Sequence, residues 1–133
     1  MVLAAQGSSF CAGAALEGKE EGGAKPLQAA SLYDQARRMF RFSKPIVAAV
    51  QGPAIGGGLG LAVACDFRIG CPETRFAANF TKLGFHPGFG LTVTLPRLIG
   101  DQAASLLFLT SRRIKGEEAL ALGLLDELVA REE

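Results

Sequence analysis

The stretch Val50–Cys65, VQGPAIGGGLGLAVAC, limits what this chain can fold into more than any other. An apolar run with β-branched content, Ile46-Val47-Ala48-Ala49-Val50, enters it as a buried strand would. Gln51-Gly52-Pro53 breaks the run, and the glycines Gly56, Gly57 and Gly58 follow. Leu59 to Cys65 is apolar and compact enough for a buried helix, which Asp66 closes. The order is strand, glycine turn, helix. The first N–H groups of a helix have no intrahelical partner. Glycine lets a ligand approach the backbone with no Cβ in the way, and the helix dipole adds partial positive charge. Such a turn suits a phosphate or the oxygen of a polarised carbonyl. The same glycines would also serve close helix–strand packing.

Three phosphate and nucleophile motifs are excluded by spacing. A P-loop needs Gly-Lys-Ser/Thr, and Gly58 is followed by Leu59-Gly60. A dinucleotide fingerprint starting at Gly56 needs a glycine where Leu61 stands. A nucleophile elbow needs a serine at the centre of Gly56–Gly60, where Gly58 stands. A donor turn remains, with no nucleophile and no phosphate lysine.

The chain has 133 residues, enough for one domain with a real core. Hydrophobic residues make up 49% and charged residues 20%, which argues for a folded globular chain. A net charge of +1 points to neither nucleic acid nor an anionic membrane surface. Pro53 and the glycines interrupt the longest apolar stretch before it reaches membrane-spanning length. Met1 to Ala5 lacks the charged start of a signal peptide. Cys11, Cys65 and Cys71 fit no zinc spacing and read as reduced thiols of a cytoplasmic protein. His86 is the single histidine, so no multi-histidine metal site is expected. Val2–Gln6 reads as an interior strand without a lead-in, and little follows the strand-like run Leu124–Val129. The expectation is a piece of a longer polypeptide.

Along the chain, Gly7-Ser8-Ser9 turns into Phe10–Leu16, a second strand-to-glycine turn feeding a short helix. Glu17–Pro26 is polar and glycine-rich and reads as a mobile surface loop. Leu32, Ala36, Met39 and Phe40 recur at helical spacing within an amphipathic helix over Leu27–Phe42, with Arg37, Arg38 and Arg41 on its solvated face. Phe67–Gly70 and Arg75–Ala77 read as strands, and Asn79–Gly90 as an aromatic, glycine-rich loop. Leu91–Ile99 reads as a helix that Pro96 distorts or starts. Asp101 suits an N-cap for Gln102–Leu109. A helix opens at Lys115-Gly116-Glu117-Glu118 and stops at Gly123. Strands alternate with helices, so the class is α/β.

Several stretches together resemble the crotonase superfamily, the enoyl-CoA hydratase/isomerase family. They are Gly7-Ser8-Ser9-Phe10-Cys11-Ala12-Gly13-Ala14, Lys44-Pro45-Ile46-Val47-Ala48-Ala49-Val50-Gln51-Gly52 and Ala54–Ala62. Cys65-Asp66, Arg75-Phe76, Leu83-Gly84, Pro87-Gly88 and Glu117–Leu125 continue the match in order. The resemblance implies one partial crotonase-like domain over residues 1–133, a spiral of ββα units truncated at both ends. It also implies assembly as a homotrimer or hexamer. The substrate it implies is an acyl-CoA thioester, with coenzyme A arriving as part of the substrate and no resident cofactor.

On this resemblance the N–H groups of Ala14 and Gly57 form an oxyanion hole for the thioester oxygen as it gains enolate charge. Cys11, Ala12, Gly13 and Leu16 on the first turn and Ile55 and Gly56 on the second contact the substrate. Phe80, Leu83 and Phe85 complete the contacts, and Phe80, Phe85 and Phe89 form an apolar wall for the acyl chain. The family's hydratases carry two glutamates, and the corresponding positions here are Gly60 and Phe80. Gly88 stands where isomerases and dehalogenases often carry an acid, and Ala15 replaces another customary acidic residue.

Histidine is the residue type best suited to acid–base work near neutral pH, which makes His86 the candidate for that role. A lone histidine between Phe85 and Pro87 is more often structural than catalytic. Two classes of function follow. One is an enzyme acting through a thioester enolate, as an isomerase, decarboxylase or lyase rather than an ordinary hydratase. The other is a non-catalytic acyl-CoA-binding or subunit-interaction protein of the same fold.

Overall fold

A computed structural model describes residues 1–13 and 34–131. The expected surface loop and the start of the amphipathic helix lie outside the described residues. That helix, α1, is described over 34–40. Arg37, Arg38 and Arg41 are exposed, Ala36 is buried and Met39 half-buried, whereas Phe40, expected on the same apolar face, is 47% exposed.

The remaining elements are β1 (Val2–Ala4), β2 (Val47–Val50), β3 (Pro53–Ile55), α2 (Gly57–Val63), β4 (Phe67–Gly70) and β5 (Arg75–Ala77). After a 3-10 turn at Thr81–Leu83 come α3 (Leu91–Ile99), α4 (Asp101–Thr110), β6 (Arg113–Lys115), α5 (Gly116–Ala121) and β7 (Glu127–Leu128). One sheet has the order β1-β2-β4-β7, with every pair parallel. The second has the order β3-β5-β6, with β3 and β5 parallel and β6 antiparallel to β5. A parallel strand between two neighbours is covered on both faces, which accounts for the unbroken apolar run of β2.

The core gathers Val50, Leu59, Phe76, Leu91, Leu95, Leu107, Ile114 and Leu124, all fully buried. Its two fully buried polar side chains, Thr74 and Arg68, are satisfied. Thr74 Oγ1 donates to the Val50 carbonyl at 2.5 Å and accepts from the Cys71 N–H at 2.9 Å. Arg68, 2% exposed, donates from Nε to Leu124 O and from Nη1 to Cys65 O, and pairs with Asp126 Oδ2 at 3.0 Å. Asp66 accepts the Ile46 N–H at 2.7 Å, tying the end of α2 to the entry of β2. The three cysteines are free thiols.

Several elements differ from the sequence expectation. Of the strand-to-glycine turn expected over Phe10–Leu16, the described part, through Gly13, carries a single bridge between Cys11 and Ala54. Two short strands, β3 and β6, were not expected, because three residues are too few to show alternation. The terminal strand is only Glu127–Leu128. Asp101 is the first residue of α4 rather than its cap, and Gly100 holds the cap position with φ 81°. Pro96 lies inside α3. Among the described residues no helix is long and apolar enough to cross a membrane.

Candidate active site

The two glycine turns meet. Cys11 pairs with Ala54, its carbonyl accepts the Ile55 N–H at 2.9 Å, and the N–H groups of Phe10 and Cys11 both donate to Pro53 O at 3.0 Å. Gln51 secures the approach from below: its Nε2 donates to the carbonyls of Ala5, Ser9 and Gly7 at 2.9, 3.1 and 3.3 Å. The close approach requires glycine at particular points. A Cβ on Gly58 would collide with the Cys11 carbonyl, and one on Gly52 with the Ser8 carbonyl. Gly13, with φ +87°, lies so close that a Cβ there would be 2.8 Å from Ile55 O and 4.0 Å from the Gly57 nitrogen.

Gly57 is the exception. A Cβ built on it meets nothing within 4 Å among the described residues. It opens α2 directly after Gly56, whose φ of 57° and ψ of −114° suit glycine alone. The Gly56 N–H is used, donating to Ala77 O at 2.9 Å. The Gly57 N–H has no acceptor among the described residues: the Pro53 carbonyl, four residues back, is already shared by Phe10 and Cys11. A backbone donor at the head of a buried helix is therefore unpaired among the described residues, its nitrogen 4.0 Å from the Cβ position of Gly13.

Around this donor the side chains are neutral. Gly56 faces Asn79 and Phe80: its Cβ would stand 3.0 Å from Asn79 Oδ1 and 3.9 Å from Phe80 Cζ. Gly60 is closed off by Phe89, with Phe89 Cγ 2.7 Å from the Cβ position. Phe89 itself holds φ 57°, a left-handed conformation a bulky residue rarely adopts. It is 8% exposed and packs under α2. Phe80 is half-buried, whereas Leu83 and Phe85 are 44% and 50% exposed. His86 is exposed and hydrogen-bonds to no described residue. Ile55 and Gly56 sit in the second turn, and Cys11, Ala12 and Gly13 in the first. Ala14 and Leu16 lie outside the described residues. Asn79 is the site residue that the sequence reading passed over. The β3–β5 pairing ends at Ile55 opposite Ala77, and the segment after β5 brings Asn79 against Gly56, a contact that shows no periodicity in the sequence.

Elsewhere, an open groove of about 670 Å³ is lined by Thr81, Lys82 and Leu109 to Arg113. It touches neither glycine turn. Among the described residues no cluster of histidine, cysteine or carboxylate side chains could hold a metal.

Fold and turn together define an α/β protein of alternating short strands and helices that presents a backbone donor at the head of a buried helix. The chain belongs to the enoyl-CoA hydratase/isomerase family, whose model matches residues 1–133. It is 41% identical over 132 residues to the peroxisomal bifunctional enzyme of Cavia porcellus, covering 97% of this chain and 18% of that protein. It is 40% identical over 126 residues to a probable enoyl-CoA hydratase of Mycobacterium tuberculosis, covering 93% of this chain and 49% of the relative. The crystal structure of enoyl-CoA hydratase from Bacillus anthracis superposes with a TM-score of 0.87 at 37% identity, covering 98% of this chain and 52% of that one. The crotonase-like fold expected from the sequence is therefore the fold of this chain. The chain spans about half the length of the Mycobacterium and Bacillus proteins.

Proposed function

We propose that this chain carries the oxyanion-binding part of an enzyme that processes acyl-CoA or enoyl-CoA thioesters. The Gly57 N–H holds the thioester oxygen as enolate charge develops, with the Ala14 N–H as the second donor that the family resemblance assigns. The observation that carries the reading is the Gly57 N–H itself: unpaired among the described residues, at the first position of α2, with its nitrogen 4.0 Å from the Cβ position of Gly13. Coenzyme A enters as part of the substrate.

The chemistry proposed is isomerisation, decarboxylation or loss of a small group rather than ordinary hydration. Hydration needs a base for water and an acid for the α carbon, each within about 3 Å. The two positions that the resemblance assigns to hydratase glutamates are Gly60 and Phe80 here. Phe89 fills the space beside the first, and the second is an aromatic ring. Crotonyl-CoA hydration by a full-length protein carrying this chain is expected to be slower than in a two-glutamate relative by about a thousandfold. Rapid hydration would overturn the assignment of these two positions.

Gly57→Pro tests the donor directly. Proline has no N–H, yet it is accepted at the first position of a helix. Turnover of the preferred thioester is expected to fall by about 10²- to 10³-fold, the usual effect of removing one oxyanion donor. Gly57→Ala keeps the N–H, meets no neighbour, and is expected to retain activity. A Gly57→Pro protein that folds and turns over at the parent rate would exclude the proposed role.

A second reading has one observation behind it. The described side chains nearest the Cβ positions of Gly56, Gly58 and Gly60 are Cys11, Asn79, Phe80 and Phe89, and none is a carboxylate or imidazole. A non-catalytic acyl-CoA-binding protein would look the same here. Tight thioester binding with no turnover of any acyl-CoA, and with His86→Ala silent, would favour it.

A further inference from the structure

We infer that Gln51 is a positioning residue for the thioester chemistry, its carboxamide holding the first glycine turn at the spacing from Gly57 at which two backbone N–H groups share one oxygen; this rests on the acyl-CoA reading of the Gly57 turn. Gln51 stands between β2 and β3, and β3 runs directly into Gly56 and Gly57, so its backbone belongs to the second turn. Its side chain reaches the approach to the first. Nε2 donates to Ala5 O at 2.9 Å, Ser9 O at 3.1 Å and Gly7 O at 3.3 Å, along the irregular segment between β1 and Phe10. Among the described residues no backbone N–H outside the strand ladders donates to those three carbonyls. From Phe10 onward the segment is tied by backbone alone, through Pro53 O and the Cys11–Ala54 bridge. Ala14, the second donor that the family resemblance assigns, follows directly on this stretch.

The carboxamide holds this orientation at the expense of its own acceptor. Gln51 Oε1 is buried with no hydrogen-bond partner among the described residues, an arrangement that costs stability. Turning the amide over would set Oε1 against three carbonyl oxygens, which can only accept. Three acceptors around one nitrogen therefore demand a donor at position 51, beyond a side chain of the right size. Little slack separates this clamp from the donor turn. A Cβ on Gly52 would be 2.0 Å from Ser8 O, one on Gly58 1.9 Å from Cys11 O, and one on Gly13 4.0 Å from the Gly57 nitrogen. Releasing the 5–9 segment lets the first turn drift relative to Gly57. An oxyanion donor acts only where it is held in place beforehand, so a drift of about 1 Å weakens its grip on the thioester oxygen.

The experiment uses the full-length protein carrying this chain, saturated with butyryl-CoA labelled with carbon-13 at the thioester carbonyl. Infrared difference spectra read the carbonyl stretch, which two hydrogen bonds lower from its position in water. Gln51→Met keeps the side-chain length and removes both donors. It is expected to lose about half of the parent's shift while the butyryl-CoA Kd stays within about threefold. Gln51→Glu sets a carboxyl against the three carbonyls: ionised it repels them, and protonated it has one O–H to donate. Its carbonyl shift is expected to grow toward the parent's as pH falls from about 8 to about 6. The titratable side chain bonded to Gln51, Cys71, reaches its backbone carbonyl at 3.3 Å and not its carboxamide. A folded Gln51→Met protein with the full parent shift, or a Gln51→Glu shift that is flat with pH, overturns the inference; a lowered melting temperature alone is what a purely structural role gives. Failure of both variants to fold at any pH tested makes Gln51 structural and overturns it as well. A parent that does not bind butyryl-CoA, or binds it with no lowered stretch, overturns the reading of the Gly57 turn and the positioning role with it.

Discussion

Gly57, Gly58 and Gly60 have different reasons to be glycine, and substitution separates them. Gly58→Ala drives a Cβ into the Cys11 carbonyl, a backbone atom that cannot move without breaking the bridge to Ala54. Gly60→Ala meets the Phe89 side chain, whose Cγ would lie at 2.7 Å. Overpacking of this kind costs about 1–3 kcal/mol. Phe89→Gly empties the space that the ring fills and is itself destabilising, but in the double variant the clash is absent, so the combined loss is expected to be smaller than the sum of the two single losses. Urea unfolding of the two single variants and the double variant checks this, and strictly additive effects would show that the two residues do not meet. The same contact bears on restoring a glutamate. Glu at position 60 needs Phe89 reduced first, so a simple double replacement at Gly60 and Phe80 is expected to destabilise the fold rather than rescue hydration. The cysteines offer another test. Burial pushes the Cys65 thiol up from its ordinary range, against a smaller opposing pull from Arg68. Cys65 and Cys71 are 4% and 3% exposed, whereas Cys11 is half-buried. A thiol reagent at pH 8 is expected to label Cys11 first and the other two only on unfolding. Equal labelling rates in the native protein would contradict this burial.

At the level of elements, the strand–turn–helix of β2, the glycines and α2 was legible because each part carries a strong local signal. β2 is an unbroken apolar run, the glycines punctuate it, and α2 is apolar throughout. Strands β3 and β6 were not, since Pro53–Ile55 and Arg113–Lys115 become strands only by pairing with β5. Asn79 was missed for the same reason: its place beside Gly56 comes from a contact between segments, not from its neighbours in sequence. The apolar wall expected from Phe80, Phe85 and Phe89 separates into different settings, with Phe80 beside the turn, Phe85 half exposed and Phe89 under α2. Arg68 was not singled out either, although it joins β4 to the segment before β7. Its guanidinium donates to Leu124 O and Cys65 O and pairs with Asp126. Arg68→Met would leave those carbonyls without a donor while keeping most of the side-chain volume. The expected cost is about 2–4 kcal/mol, since buried acceptors are left unsatisfied. Thermal denaturation measures it, and an unchanged melting temperature would show that water replaces the guanidinium at no cost.

At the level of the whole molecule, surface apolarity sets the expectation. Val2, Phe67, Val93 and Leu109 are 68%, 51%, 52% and 78% exposed, and Phe40, Phe42 and Phe85 are each about half exposed. β1 stands at the end of the order β1-β2-β4-β7, so one side of Val2–Ala4 has no strand partner among the described residues. An unpaired strand edge beside exposed large apolar side chains is a template for association. The 133-residue chain on its own is therefore expected to self-associate at micromolar concentration. Closed point-group assemblies cover repeated apolar faces without continuing into fibres, and the family resemblance makes a ring of three copies, or two such rings, the expected form of the full-length protein. Light scattering during size-exclusion chromatography distinguishes the cases: a mass three or six times the protomer supports the ring, and a broad, concentration-dependent mass for the isolated chain supports the exposed edge. Phe67→Ser and Leu109→Ser place the contact. If the apolar faces drive association, one of these substitutions lowers the mass without lowering the melting temperature of the residual monomer. A stable, well-folded monomer of the isolated chain at high concentration would show that these faces are tolerated in water.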